Sequence, residues 1–218
     1  MSGAPLVVFD LDGTLVDSAP DIAAAVNRML AARRLSLLSQ AAVAAMVGDG
    51  LHVLMDRVFA AAGTPLDPAA ADEYLADYEA NVLVETALFP GIEAALDQLA
   101  AAGCRLAVCT NKPEHATHLL LAGLGVADRF VAVGGGDSFA ARKPHPLHLA
   151  GTIARAGGSA ARALMVGDHR NDILAATGCA VRPIFAGWGY GHPGMEQGAA
   201  AIAAMPADLP GIVARLLA

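Results

Sequence analysis

Residues 5–18 read PLVVFDLDGTLVDS. Four apolar residues, Leu6 to Phe9, run without a break into Asp10, Leu11, Asp12 and Gly13. A short apolar run ended by a turn signal predicts a strand covered on both faces. Two carboxylates then stand two positions apart. Like charges held that close repel, and each loses hydration if it is partly covered. A chain that keeps both must have a use for both.

Working outward, similar runs recur at 105–110 (RLAVCT), 129–134 (RFVAVG), 163–168 (ALMVGD) and 181–187 (VRPIFAG). Helical patterns lie between and after them, at 91–102, 114–123, 145–157, 171–177 and 207–217. Pro90 and Pro113 sit where helices begin, and Gly103 and Gly178 where helices end. Strands alternating with helices predict an α/β fold built on a doubly wound parallel sheet. One region breaks the alternation. From Pro20 to Leu88 the sequence shows only Ala- and Leu-rich helical patterns, interrupted at VGDG (47–50) and AGTPLDP (62–68). The expected organisation is a core of 1–17 and 89–218 with a helical cap of 18–88 inserted after the first strand.

The totals narrow the function. Of 218 residues, 56% are apolar and mean hydropathy is +0.50, but no apolar run approaches the ~18–20 residues that span a bilayer. The start has no basic segment before an apolar one, so neither a secretion signal nor a membrane is expected. Cys104, Cys109 and Cys179 are odd in number and lack metal-ligand spacing, which predicts buried, reduced thiols in the cytoplasm. A formal charge of −7 argues against a nucleic-acid surface. Any anionic substrate then needs local positive charge. The chain has twelve arginines and only two lysines, Lys112 and Lys143, each followed by proline. A compact ammonium is therefore expected to matter at one or both of those places.

The strand ends carry the chemistry. They deliver Asp10 and Asp12, then Thr110, Asn111 and Lys112, then Asp168 with Asp172 four residues on, while Lys143 precedes the third of the helices between strands. In an open parallel sheet these ends line one crevice. Three aspartates there demand a cation, and hard oxygen ligands without a His or Cys set suit Mg²⁺. A divalent ion beside an ammonium suits phosphate.

DLDGTLVDS, TNK, KP and GDHRND resemble, in this order, the four motifs of the haloacid dehalogenase superfamily of phosphohydrolases. The likeness runs from residue 5 to 187 and includes a helical cap in the expected place. Within the superfamily, FDLDGTLVDSAPDIAAAVN, FPGIEAALDQLAAAG, TNKP and KPHP are most similar to phosphoglycolate phosphatases. The resemblance implies that Asp10 is the nucleophile, forming an aspartyl phosphate, and Asp12 the general acid and base. It implies Mg²⁺ on the Asp10 side chain, the Asp12 carbonyl and Asp168, with Asp172 nearby or through water. Thr110, Asn111 and Gly13 are expected to bind phosphate oxygens, with Thr14 and the Gly13 turn also fixing the geometry of the motif. Lys143 is expected to neutralise the phosphoryl group and keep Asp10 ionised. The implied partner is a small phosphorylated metabolite, 2-phosphoglycolate first, taken by a monomer or homodimer.

Smaller expectations follow. His169 stands where relatives carry a small hydroxyl residue and is read as a bystander. Lys112 is read as near the site but dispensable. His115, His118, His145 and His148 are expected to be exposed or capping. VGDGLHVLMDR (47–57) is the expected specificity loop, with Arg57 or His52 meeting a substrate carboxylate. Among rival readings, a dehalogenase has no need of Asp12. A sugar-phosphate phosphatase or mutase and a pyrophosphatase keep all four motifs. A phospho-aspartate receiver would be shorter and lack the cap.

Overall fold

A computed structural model describes residues 3–218. The chain begins with β1 (Leu6–Phe9) and a two-residue strand, β2 (Val16–Asp17). Four helices follow: α1 (Ala19–Ala32), α2 (Gln40–Ala44), α3 (Leu51–Ala61) and α4 (Ala70–Ala80). Then come β3 (Ala87–Leu88), α5 (Ile92–Ala101), β4 (Arg105–Cys109), α6 (Glu114–Gly123), β5 (Ala132–Gly134) and α7 (Pro146–Arg155). The chain finishes with β6 (Ala163–Gly167), α8 (Arg170–Gly178), β7 (Arg182–Ala186), β8 (Ala201–Ala203) and α9 (Leu209–Leu217).

Six strands form one parallel sheet in the order β5-β4-β1-β6-β7-β8. β1 lies inside it, with Leu6 opposite Arg105 on one side and Ala163 on the other. Its side chains alternate between two cores. Val7 and Phe9 pack in the cluster that holds Ile92, Leu96, Leu120, Ile212 and Val213, so α5, α6 and α9 cover that face. Leu6 and Val8 pack with Leu149, Ile153, Ala175 and Ala176, so α7 and α8 cover the other. The sheet is doubly wound, as its apolar, non-alternating strands predict.

Two features escaped the sequence patterns. β8 adds a sixth strand from an Ala-rich stretch. β2 and β3 pair antiparallel, Val16 with Leu88 and Asp17 with Ala87, so the helical insertion leaves the core and returns to it through one short ribbon. Of the three cysteines Cys109 is buried, but Cys104 and Cys179 are only half-buried, since their runs end at the edge of the packing; all three are free thiols. Among the described residues no helix is long and apolar enough to cross a membrane.

Candidate active site

Asp10 follows β1 directly, and its N–H donates to the Val166 carbonyl at 2.8 Å, continuing the ladder for one residue. Its Oδ1 accepts from the Leu11 N–H at 2.7 Å and faces Lys143 Nζ at 2.9 Å. Among the described residues nothing hydrogen-bonds its Oδ2. The chain then turns back on itself. The N–H groups of Thr14, Leu15 and Val16 all reach the Leu11 carbonyl, and Gly13 donates to the Val16 carbonyl at 2.9 Å. Gly13 has φ +82°, and a Cβ there would run into the Asp168 carboxylate. Only glycine fits. Because its N–H is taken by Val16, Gly13 serves the turn rather than offering phosphate an N–H group.

Asp168 directly follows β6 and is clamped from two sides. Thr14 Oγ1 donates to Oδ1 and the Tyr190 N–H to Oδ2, each at 2.8 Å. Asp172, in the first turn of α8, accepts the His169 N–H at 3.0 Å and lies 2.6 Å from Lys143 Nζ. Lys143 is 2% exposed and sits between Asp10 and Asp172. Burial works against its ammonium, but the two carboxylates outweigh burial and raise its pKa.

Asp10, Asp168 and Asp172 present oxygens within 4.8 Å of one another, all buried. One lysine cannot balance three carboxylates. Burial first, then Asp10 and Asp172, pushes Asp168 up to about 8; burial pushes Asp172 up to about 7 despite Lys143. Hard oxygen donors that resist ionising without more positive charge are what a divalent cation of the Mg²⁺ kind fits.

Asp12 points elsewhere. It accepts from Ser18 Oγ at 2.6 Å and from Lys112 Nζ at 2.9 Å. Lys112 is itself buried, and its ammonium lies 4.4 Å from the centre of the Tyr78 ring in α4. So both lysines of the chain stand among the site's carboxylates, Lys112 on Asp12 and Lys143 between Asp10 and Asp172. Asp10, Asp12, Thr110, Asn111 and Lys112 line a cavity of about 50 Å³ walled by Ile22, Leu54, Tyr74 and Tyr78 from the helical insertion.

The remaining expected residues fall in different places. Asn111 spends its side-chain N–H groups on two carbonyls, Gly48 at 2.9 Å and Lys143 at 2.8 Å, which fastens the loop before α3 to the sheet edge. Thr110 is buried, and its hydroxyl accepts the Lys112 N–H at 3.2 Å. Arg57 is held by Asp49 and the Met46 carbonyl, and His52 is exposed; neither lines the cavity. His115, His118 and His145 are exposed, and His145 caps α7. His148 is instead fully buried behind Lys143, accepting the Lys143 N–H at 3.0 Å through Nδ1. Its helical spacing did not reveal which face of α7 it occupies. His169 accepts the Asn171 N–H and caps α8, and its ring lies against Gly48.

Residues the sequence reading missed include Trp188, Gly189, Tyr190 and Gly191. Trp188 Nε1 donates to the Thr14 carbonyl at 2.9 Å, while the Tyr190 hydroxyl donates to Asp17 and accepts the Ser18 and Ala19 N–H groups. A Cβ on Gly189 or Gly191 would strike Asp168. The alternation of glycine and aromatic residues after β7, GWGYG at 187–191, was the available signal.

The family model for haloacid dehalogenase-like hydrolases matches residues 4–179. The chain belongs to the haloacid dehalogenase-like hydrolase family. It is an enzyme of the phosphatase type within that family. A phosphoglycolate phosphatase of Agrobacterium fabrum is 44% identical over 191 residues, 86% of this chain and 82% of its own. One from Cereibacter sphaeroides is 40% identical over 98% of this chain and all, 100%, of its own. Among solved structures, that of a predicted phosphoglycolate phosphatase from Haemophilus somnus superposes with a TM-score of 0.89 at 31% identity, covering 97% and 99% of the two chains.

Proposed function

We propose that this hydrolase is a Mg²⁺-dependent phosphomonoesterase that converts 2-phosphoglycolate to glycolate and phosphate through an aspartyl phosphate on Asp10. The observation that carries the reading is the asymmetry of the two aspartates. Asp10 has one oxygen tied to Lys143 and the Leu11 N–H, leaving Oδ2 for attack on phosphorus. Asp12 stands apart, in the same cavity. It is suited to hand a proton to the leaving oxygen and then to take one from water. Both carboxylates of the opening motif thus have work.

Asp10, Asp168 and the Asp12 carbonyl would hold Mg²⁺, with Asp172 beside them. When bound, Mg²⁺ supplies the positive charge that phosphoryl transfer requires. Lys143 pairs with Asp10 and would face the incoming phosphoryl group. Thr110 and the main chain of Asn111 would orient the phosphate oxygens. The helical stretch 18–88 acts as the cap, and its apolar wall excludes water once substrate is in. A cavity closed in by Ile22, Leu54, Tyr74 and Tyr78 suits a small ester. The support from relatives is their own designation as phosphoglycolate phosphatases. Free thiols suit a reducing cytoplasm.

The test is phosphate release from 2-phosphoglycolate, hexose phosphates and pyrophosphate, each with Mg²⁺ and with EDTA. Fastest turnover of 2-phosphoglycolate, abolished by EDTA and by Asp10→Asn in a folded protein, is the expected result. Steady-state hydrolysis by that variant would reject the nucleophile, and preference for another ester would reject the substrate.

A further inference from the structure

An anionic tail entering this cavity meets an apolar wall, and a buried charge without a partner is strongly disfavoured. Among the residues that line the cavity, Lys112 alone carries a positive charge. Its position is telling. Asp12, which serves the leaving oxygen, lies 2.9 Å from the ammonium. In 2-phosphoglycolate a single CH₂ separates that oxygen from the carboxyl carbon, so carboxylate oxygens begin about 3 Å beyond it with bonds near 1.5 Å. An ammonium hydrogen-bonded to the group that serves the leaving oxygen is within reach of a carboxylate carried one CH₂ from that oxygen.

Three more facts suit the task. An ammonium has three donors, and the two Asp12 oxygens, at 2.9 and 3.1 Å, leave one for a ligand. The Tyr78 ring face lies 4.4 Å from the ammonium and holds the buried cation in place. Arg57, the more obvious cation of the cap, is engaged with Asp49 and Met46.

We propose that Lys112 is the specificity residue for the acidic tail: its ammonium takes the substrate carboxylate, held in place by the Tyr78 ring of the cap. This rests on the reading of the enzyme as a 2-phosphoglycolate phosphatase. It also explains why a chain that uses arginine almost everywhere keeps a lysine here. A guanidinium is planar and wider, and it could not share one corner between Asp12 and a two-carbon substrate.

The test uses the full chain with Mg²⁺ and two non-hydrolysable ligands of equal length. One is 3-phosphonopropionate, in which CH₂ replaces the bridging oxygen; the other is propylphosphonate, which lacks the carboxylate. Calorimetry on the wild type should show the charged ligand favoured by roughly ten- to a hundredfold. Lys112→Met should erase that preference, read as the ratio of the two affinities in the variant itself. Lys112→Gln gives the same reading should the Met variant fail to fold. A preference that survives the loss of the ammonium overturns the proposal. A wild type without preference also overturns it. The turnover of 2-phosphoglycolate keeps the two readings apart. Brisk wild-type hydrolysis together with a surviving preference sinks the lysine assignment alone, whereas absent hydrolysis sinks the substrate.

Discussion

Lys143 and Lys112 divide the positive charge of the site, and the division has energetic consequences. Lys143 is fully enclosed between Asp10 and Asp172, at 2.9 and 2.6 Å. Lys143→Ala leaves two buried carboxylates without their partner, which typically costs about 3–5 kcal/mol. Urea unfolding should show a loss of that order together with collapse of turnover on every ester, charged tail or not. Lys112→Met should differ in kind, with acidic substrates losing more than neutral-tailed esters beyond any common loss through Asp12. Equal losses across all substrates in both variants would show that Lys112 serves only Asp12. At this scale the sequence was readable for identity and less so for direction. Asp10, Asp12, Asp168, Asp172 and Lys143 converge because strand ends in a parallel sheet must share one edge. The rotamer of Asn111 and the inward face chosen by His148 were hidden, since both depend on a loop from another segment.

At the scale of elements, the loop before α3 is fastened to the core by amides. Asn111 and Asn171 both donate to the Gly48 carbonyl, and Asn171 also donates to Asp49 at 2.7 Å. Gly48 has φ +121°, with the His169 ring where a Cβ would go, so the loop lies flat on α8. Asn171→Ala removes two of these bonds, at about 0.5–1.5 kcal/mol each. Hydrogen exchange over residues 46–50 should quicken accordingly, and KM should rise with little change in overall stability. Unaltered exchange there would mean that Asn111 alone holds the loop. Sequence patterns found the helices of the insertion and five of the six strands of the sheet. They missed β2 and β3 because a two-residue strand has no period to detect. β8 was lost among alanines that fit any element.

Across the whole molecule, the acidic cluster ties stability to pH and metal together. Asp168 is pushed up to about 8 and Asp172 up to about 7, chiefly by burial. Burial acts oppositely on histidine, driving His148 down to about 4 and lowering His169. Below the ordinary histidine pKa of ~6.5 these groups oppose one another: the fold binds extra protons on aspartate and fewer on histidine. Above it only the carboxyls remain. There the metal-free fold holds more protons than the unfolded chain, so its stability falls as pH rises towards 8. Melting in EDTA should therefore drop between pH 6.5 and 8. Saturating Mg²⁺, which needs the carboxylates ionised, should protect more as pH climbs. A protection constant over that range would place the metal elsewhere.

The ribbon of Val16–Asp17 and Ala87–Leu88 brings both ends of the helical insertion to one spot, since opposed residues in such a pair lie about 4.5–5.5 Å apart. The insertion is thus tied to the sheet edge at two places, this ribbon and the loop at Gly48 and Asp49 held by Asn111 and Asn171. Ile22 is carried between those two ties, and Leu54, Tyr74 and Tyr78 between the loop and the ribbon's return strand. Tyr190 stands at the ribbon, its hydroxyl on Ser18 and Ala19 and its N–H on Asp168. One tyrosine thereby links the root of the insertion to a carboxylate of the acidic cluster.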